Sequence, residues 1–304
     1  VNSRRQKLGM GLAAAILLAG CLSTTEAGTV EPIGEPPPVL SIVTPPEPVP
    51  KRLKQPESPF DELAQPMFFE DGCEDADSRT VLAFVGDVLL HRRLQRQASR
   101  TRARYNDLFR EDIATAIQVS DIAYANLEGP VALGINGEGE EVEDPGMKFD
   151  GTVYTSYPRF NYHPKIAEAL ATLGVDVVST ANNHSMDRNA IGVDRTIDAL
   201  DKRGLKHFGT RKQKPRHLPF YTTTTLGDFK IGWVACTYGF SGAADRKHQV
   251  RQCGREESRI VADIQELSQT MDAVIVTPHL LKEYESLPRE EERAAARRML
   301  DAGA

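Results

Sequence analysis

Four stretches of the sequence end in side chains that can hold a cation or move a proton. Each stretch is a short apolar run, typical of a buried strand, and polar residues follow it at once. These polar residues are Asp87, Glu128, the pair Asn183 and His184, and His279. Carboxylate, amide and imidazole ligands without thiolates suit Mn²⁺, Fe or Zn²⁺, and two carboxylates can hold two cations. An imidazole beside them could protonate a leaving oxygen.

A simpler interpretation of the same residues stays open, because Asp and Asn often end strands only as turn formers and helix caps. The elements around them favour a shared site. Apolar runs predict strands over 80–85, 122–125, 175–180, 221–226, 230–236 and 273–277. Helical spacing predicts helices over 107–119, 163–173, 191–203, 256–268 and 289–302. Strands that alternate with helices predict an α/β fold with a mainly parallel sheet, whose strands deliver their carboxyl ends to one rim.

Composition excludes several classes of protein. The chain has 304 residues, of which 40% are hydrophobic, so it has enough apolar material for a core and is not disordered throughout. Its 37 basic and 43 acidic residues give a net charge of −6, which argues against a nucleic-acid partner. No apolar run reaches the roughly 18 residues that would cross a bilayer.

The N-terminal 20 residues are typical of an export signal. Three basic residues precede the apolar run 8–20, and small residues then lead to Cys21, as in bacterial lipoprotein signals. We expect residues 1–20 to be a signal peptide and Cys21 to carry lipid after cleavage, which would anchor the protein to the membrane. The expected location is the periplasmic or extracellular face of the cell envelope. A plain secretory signal that happens to contain Cys is the alternative.

Residues 21–78 differ in composition from the rest of the chain. Eleven of the 19 prolines lie between Pro32 and Pro66, which predicts an extended tether ahead of a single domain over 79–304. In an oxidising periplasm Cys73 and Cys253 could form a disulfide, since both lie in polar stretches. Cys236 ends an apolar strand and is expected to be a small buried hydrophobic residue.

Four motifs resemble those of the capsule-synthesis CapA family, which is linked to poly-γ-glutamate production. They are GDV at 86–88, NLEGP at 126–130, ANNHSMD at 181–187 and TYG at 237–239. The resemblance runs from about Val81 to the last residue. It implies a calcineurin-like metallophosphatase fold, which is a layered αββα sandwich with a mainly parallel core sheet. We expect this fold to be incomplete at the C-terminus, because the family continues beyond the position of Ala304 with another strand and a His-rich metal loop.

The resemblance also implies a role for each residue of the rim. Asp87 would bind the first metal, Glu128 would bridge two metals, and Asn183 would bind the second through its side-chain oxygen. His184 would be the general acid. His279 would be a further metal ligand.

Two positions near these residues allow different interpretations. Asp187 could orient His184 or cap the helix that follows it, and its position alone favours the cap. The stretch after His279 matches the family at Glu283-Tyr284 but has Leu280-Leu281 where the family has Trp-Gly.

Two functional hypotheses follow from the rim and the resemblance. The first is a metal-dependent hydrolase of the phosphoesterase type that acts on an anionic envelope polymer, or its precursor, during capsule or exopolymer biosynthesis. The second is a non-catalytic scaffold that binds the anionic polymer during its synthesis or export. Other polymer-synthesis proteins are possible partners of either. A periplasmic solute-binding domain is a weaker third hypothesis, because it would need no such rim.

Two charged stretches outside the rim have simpler interpretations. His91 and the arginines between Arg92 and Arg104 could attract an acidic polymer, but a solvated helix face is the favoured interpretation. The acidic segment 136–143 could gate the rim, although an ordinary surface insertion is favoured.

Overall fold

The structure is a computed structural model that describes residues 16–20, 80–101, 104–109, 111–215, 217–282, 285 and 287–304. All of these residues except Gly20 belong to one of the two compact units into which the chain divides. Cys21, Cys73 and the predicted tether lie outside the described residues. Nearly all of the predicted signal peptide does so too, apart from its last five residues.

Two sheets form the centre of the described unit. The first has five strands in the spatial order β1 (Ile16–Gly20), β2 (Thr80–Val88), β3 (Ile122–Leu127), β4 (Val177–Ser179) and β5 (Lys206–Phe208). The pairs from β2 to β5 are all parallel. The second has three strands, β6 (Thr222–Leu226), β7 (Phe229–Thr237) and β8 (Ala273–His279), of which β7 and β8 are parallel. β6 and β7 form an antiparallel hairpin that turns at Gly227-Asp228, as the sequence predicts.

Six α-helices accompany the sheets in the part of the chain that the structure describes. They are α1 (Arg92–Arg100), α2 (Glu111–Gln118), α3 (Lys165–Leu173), α4 (Asn189–Asp201), α5 (Glu257–Ser268) and α6 (Glu290–Asp301). The helix expected over 107–119 is instead a short 3-10 helix, Arg104–Leu108, followed by α2. None of the described helices combines the length and the apolar character that crossing a bilayer requires.

Side chains that alternate along each strand define the layers. On one face of the first sheet, small residues of β3 such as Ala123 and Ala125 pack against α1, α2 and α3. The opposite face packs against the second sheet. The outer face of the second sheet, including Val234 and Val274, packs against α5 and α6. The order helix, sheet, sheet, helix confirms the predicted layered α/β sandwich with a mainly parallel core.

Aromatic rings fill the space between the two sheets. Trp233 of β7 is fully buried and stacks on Tyr124 of β3, with ring centroids 6.0 Å apart and ring planes 7° apart. Phe84 and Phe208 lie against the same indole ring. The indole Nε1–H donates to Thr224 Oγ1 at 2.8 Å, so its one polar group is satisfied inside the core.

The cysteine prediction is wrong, because Cys253 forms a disulfide with Cys236. Cys253 is buried rather than exposed. After β7 the chain returns beside the end of that strand, where the Cys253 N–H donates to the Thr237 carbonyl oxygen at 2.9 Å. This return brings Cys253 next to Cys236, which is buried as expected but is not a free thiol.

We predict that reducing this disulfide destabilises the domain. Its cysteines are 17 residues apart, and closing a loop of about that length contributes about 3 kcal/mol to the free energy of unfolding. Urea unfolding of the wild-type protein should therefore show a lower midpoint when a phosphine reductant is present. The double variant Cys236→Ala, Cys253→Ala should be equally stable with and without reductant. A wild-type midpoint that the reductant leaves unchanged would contradict the prediction.

Candidate functional site

The register of the parallel strands brings polar residues side by side at one edge of the first sheet. β2 continues past Gly86 to Val88 instead of ending at residue 85 as expected. β2 advances three residues from Phe84 to Asp87 while β3 advances two from Tyr124 to Asn126, which is a β-bulge. The bulge sets Asp87 opposite Asn126.

Hydrogen bonds join three strands at this edge. Asn126 Nδ2 donates to Asp87 Oδ1 at 2.8 Å, and Ser179 Oγ donates to Asn126 Oδ1 at 2.7 Å. The Tyr124 hydroxyl lies 3.0 Å from Ser179 Oγ. Burial raises the pKa of Tyr124, so the hydroxyl stays protonated. The carboxylate of Asp87 is exposed at the end of this row, where a ligand can reach it.

His279 reaches the same place from the second sheet, at the end of β8. Its Nδ1 lies 3.5 Å from Asn126 Nδ2, and its Nε2 lies 3.1 Å from Asn183 Oδ1. Burial lowers the pKa of His279, and the negative charge of Asp87 opposes this shift only in part. The imidazole is therefore held neutral, which is the form that binds metals. Asn126 contacts both Asp87 and His279, a role that the sequence analysis missed although Asn126 opens the NLEGP motif.

Glu128 lies just after β3 and faces both imidazoles. Its Oε1 is 3.9 Å from His184 Nε2 and 3.9 Å from His279 Nε2. Its backbone carbonyl accepts a 2.6 Å hydrogen bond from the buried Tyr162 hydroxyl. The next residue, Gly129, has a φ of +125°, and a Cβ there would lie 3.0 Å from that hydroxyl. The glycine of the NLEGP motif thus permits both the turn and the contact that holds Glu128 in place.

His184 is oriented by Asp187. Its Nδ1 lies 2.8 Å from Asp187 Oδ2, and the Phe160 N–H donates to the same oxygen at 2.7 Å. Because a carboxylate only accepts hydrogen bonds, Nδ1 carries the proton and Nε2 is left facing Glu128. The Phe160 ring packs edge-on against the imidazole, with centroids 4.7 Å apart.

The favoured interpretation of Asp187 as a helix cap is therefore wrong. The N-cap of α4 is Arg188, and no side chain caps that helix end. The Asp187 carboxylate is instead fully buried against His184.

Asn182 and Asn183 hold the loop that carries His184. Asn182 is buried; its Nδ2 donates to the Leu127 carbonyl oxygen at 2.8 Å, and its Oδ1 accepts the His184 N–H at 3.2 Å. Asn183 Nδ2 donates to Ser241 Oγ at 2.8 Å, which directs Asn183 Oδ1 towards His279. The two amides thus fix this loop to the end of β3 and to the segment after β7.

Two pairs of donor atoms at this edge lie close enough together to share one divalent cation. Two atoms that bind one ion at roughly 2.0–2.2 Å cannot lie more than about 4.4 Å apart. Glu128 Oε1 and Asn183 Oδ1 satisfy this limit with His279 Nε2, at 3.9 Å and 3.1 Å. Within the described residues, no three His, Cys, Asp or Glu side chains gather closely enough to hold an ion by themselves. An ion at this site would therefore need the amide oxygen of Asn183.

The stretch after β8 is described only in part. Glu283 and Tyr284 lie outside the described residues. Leu281, in the Leu280-Leu281 pair that departs from the resemblance, approaches Gly239 so closely that a Cβ there would lie 2.6 Å from Leu281 Cδ1. The glycine of the TYG motif leaves the space that this leucine occupies.

The fold and this site describe a two-sheet α/β protein with carboxylates, amides and imidazoles at the carboxyl ends of its strands. The family model "Bacterial capsule synthesis protein PGA_cap" matches residues 81–304, and the chain belongs to this family. The chain is 24% identical over 233 residues to the capsule biosynthesis protein CapA of Bacillus anthracis, a match that covers 75% of this chain and 53% of the relative. It is 23% identical over 230 residues to the PGA biosynthesis protein CapA of Bacillus subtilis strain 168, and this match covers 73% of this chain and 54% of that relative.

The chain thus spans about half the length of these curated relatives.

Solved structures also resemble the chain, with low TM-scores. A hypothetical protein from Thermus thermophilus has a TM-score of 0.36 and 15% identity, covering 72% of this chain and 62% of that one. A novel phosphatase from Mycoplasma pneumoniae has a TM-score of 0.38 and 13% identity, covering 73% and 61%.

We predict that Asp187→Ala lowers the free energy of unfolding by about 2–4 kcal/mol, because two buried donors lose their acceptor. The ¹⁵N spectrum of labelled imidazoles should also show His184 changing from one tautomer to a mixture. Asp187→Asn keeps an acceptor oxygen, so it should lower the free energy of unfolding by less than Asp187→Ala does. A loss of only about 1 kcal/mol with an unchanged tautomer would match a helix cap and contradict this account.

Proposed function

We propose that the chain is a metal-dependent hydrolase of the phosphoesterase type, acting in capsule biosynthesis on an anionic polymer or its precursor. The observation that carries the proposal is the position of Glu128 Oε1, 3.9 Å from the Nε2 atoms of both His184 and His279. The Glu128 carboxylate thus faces two imidazoles. One is the neutral ring of His279, and the other is the ring of His184, which has Asp187 as its carboxylate partner. Membership of the capsule synthesis family supports the biological setting.

In this proposal Glu128, His279 and Asn183 hold a divalent cation, and Asp87 extends the site towards a second one. Mn²⁺, Fe and Zn²⁺ all suit these ligands. When bound, such a cation supplies Lewis-acid activation of water and of the bond to be cleaved. The side-chain amide of Asn126 contacts both the Asp87 carboxylate and the His279 ring and so helps to position them.

His184 is the proposed general acid. The hydrogen bond from Nδ1 to Asp187 leaves Nε2 as the nitrogen that can deliver a proton to a leaving oxygen. The nearby carboxylate of Asp187 stabilises the charged ring before that transfer. Phe160 packs against the ring and restricts water and rotation on that side.

Metal retention tests the proposed cation site. The purified wild-type protein, loaded with Mn²⁺ or Zn²⁺ and dialysed, should keep metal in elemental analysis. Glu128→Gln and Asn183→Ala should weaken retention by more than the roughly 10- to 100-fold that loss of an outer-shell partner costs. Asp201→Asn removes an acidic group that pairs with His207 and Lys212 instead, and should retain metal like the wild type.

Turnover separates the acid from the metal ligands. His184→Ala should keep its metal but lose roughly 10²- to 10⁴-fold in the hydrolysis of a phosphodiester or a γ-glutamyl substrate. A wild-type protein that retains no metal and hydrolyses neither substrate would overturn the proposal. If such a protein still bound polyglutamate, it would be the non-catalytic scaffold.

We also propose that the protein is a lipoprotein of the cell envelope, anchored through Cys21. The support is sequence alone: a basic start, the apolar run 8–20 and small residues before the cysteine. Cleavage there would remove β1 and leave β2–β5, which carry the site residues of the first sheet.

Lipid labelling tests the anchor. The wild-type protein expressed in a bacterial host should incorporate radiolabelled palmitate and sediment with membranes. Cys21→Ser should do neither, because the thiol is the acceptor. Cys73→Ser is the matched control and should behave as the wild type. Equal labelling of wild type and Cys21→Ser would exclude this anchor.

A further inference from the structure

The segment after β7 (residues 238–242) lies between two of the proposed cation ligands. It begins beside His279, because Thr237 at the end of β7 lies opposite His279 in the register of β7 and β8. The Tyr238 N–H donates to the His279 carbonyl oxygen at 3.2 Å. The first residue of the segment is therefore tied to the backbone of one proposed ligand.

Ser241, further along the segment, holds a second proposed ligand at two points. Its N–H donates to the Asn183 carbonyl oxygen at 2.8 Å, and its Oγ accepts a hydrogen bond from Asn183 Nδ2 at 2.8 Å. The backbone contact sets where Ser241 lies, and the side-chain contact holds the nitrogen end of the Asn183 amide. The amide oxygen is left facing His279 Nε2, 3.1 Å away.

The Ser241 hydroxyl matters because few contacts hold the Asn183 amide. Within the described residues, the hydrogen bonds of this side chain are those to Ser241 and His279. The last torsion of an Asn side chain has only a broad preference, so an amide without the hydroxyl could rotate and take its oxygen away from His279. That amide would have to lose its freedom when it binds an ion, which lowers affinity.

A close contact on the other side keeps the segment in this position. At Gly242 a Cβ would lie 2.9 Å from Asp187 Oδ1, so only glycine leaves room for the carboxylate. That carboxylate is buried, and its other oxygen accepts two hydrogen bonds, one of them from His184. Ser241 therefore meets Asn183 from a backbone that is held at both ends.

We propose that Ser241 is a positioning residue of the cation site, which presents the Asn183 oxygen to the ion that His279 binds. This inference rests on the proposed function and adds to it a residue that acts through Asn183. The segment holds one ligand through Tyr238 and the other through Ser241, so it sets the distance between their donor atoms. Residues that orient a metal ligand typically contribute roughly 10- to 100-fold to metal affinity.

Zinc affinity of the purified full chain, measured by titration calorimetry, tests the proposal. Ser241→Ala should bind Zn²⁺ roughly 10- to 100-fold more weakly than the wild type. Ser241→Thr keeps the hydroxyl and should bind within about twofold of the wild type. Ser268→Ala is the matched control and should bind as the wild type does, because Ser268 is also exposed but its hydroxyl donates to the Gln265 carbonyl oxygen in α5.

A double variant separates positioning from a general structural role. If Ser241 acts through the Asn183 amide, Ser241→Ala should cause no further loss of affinity when Asn183→Ala is already present. A residue that only supports the local fold would cost affinity in both backgrounds. The wild type and Ser241→Ala should have similar urea midpoints, since an exposed serine contributes little to stability.

A metal-free measurement keeps this inference distinct from the proposed function. In EDTA, the ¹H–¹⁵N signals of the Asn183 side-chain amide can be assigned by their loss in Asn183→Ala. They should shift in Ser241→Ala and stay near the wild-type position in Ser241→Thr. Unchanged signals in Ser241→Ala, or a wild-type zinc affinity in that variant, would overturn the inference alone. A wild-type protein that binds no Zn²⁺ would instead overturn the cation site itself, and the role of Ser241 with it.

Discussion

The alignment of three parallel strands at one edge controls the whole site. Asp87, Asn126 and Ser179 are neighbours in register across β2, β3 and β4, and their side chains are joined by hydrogen bonds. Without the bulge in β2, Asp87 would not lie opposite Asn126, and its carboxylate would lose its donor. Parallel pairing fixes which residues meet, so a polar row at strand ends is set by backbone geometry before any ligand binds.

The second constraint is the distance between the two sheets. His279 belongs to the second sheet, yet its ring contacts Asn126 of the first and Asn183 of the loop after β4. The buried aromatic layer around Trp233 and Tyr124 keeps the sheets at this separation. The packing of the core between the sheets therefore sets the positions of the side chains at the rim. A substitution that changes the core packing is expected to move those side chains.

Local signals in the sequence were sufficient for the layers and for most of the rim. Apolar runs and helix periods are local, so they predicted the strands that deliver Glu128, Asn183 and His279. The bulge in β2 depends on how β2 pairs with β3, so it could not be predicted from the sequence of β2 alone. Asp187 was misread because cap rules consider neighbours, whereas its second donor, Phe160 N–H, lies 27 residues away.

The position of Trp233 has a practical consequence, because it is the chain's single tryptophan. Its indole stacks on Tyr124, whose hydroxyl lies within hydrogen-bonding distance of Ser179 and so adjoins the row that ends at Asp87. The tryptophan fluorescence of the protein therefore comes entirely from Trp233, in the aromatic layer beneath the rim. The molecule carries an intrinsic optical reporter, and spectroscopy without any added dye can follow events at its strand ends.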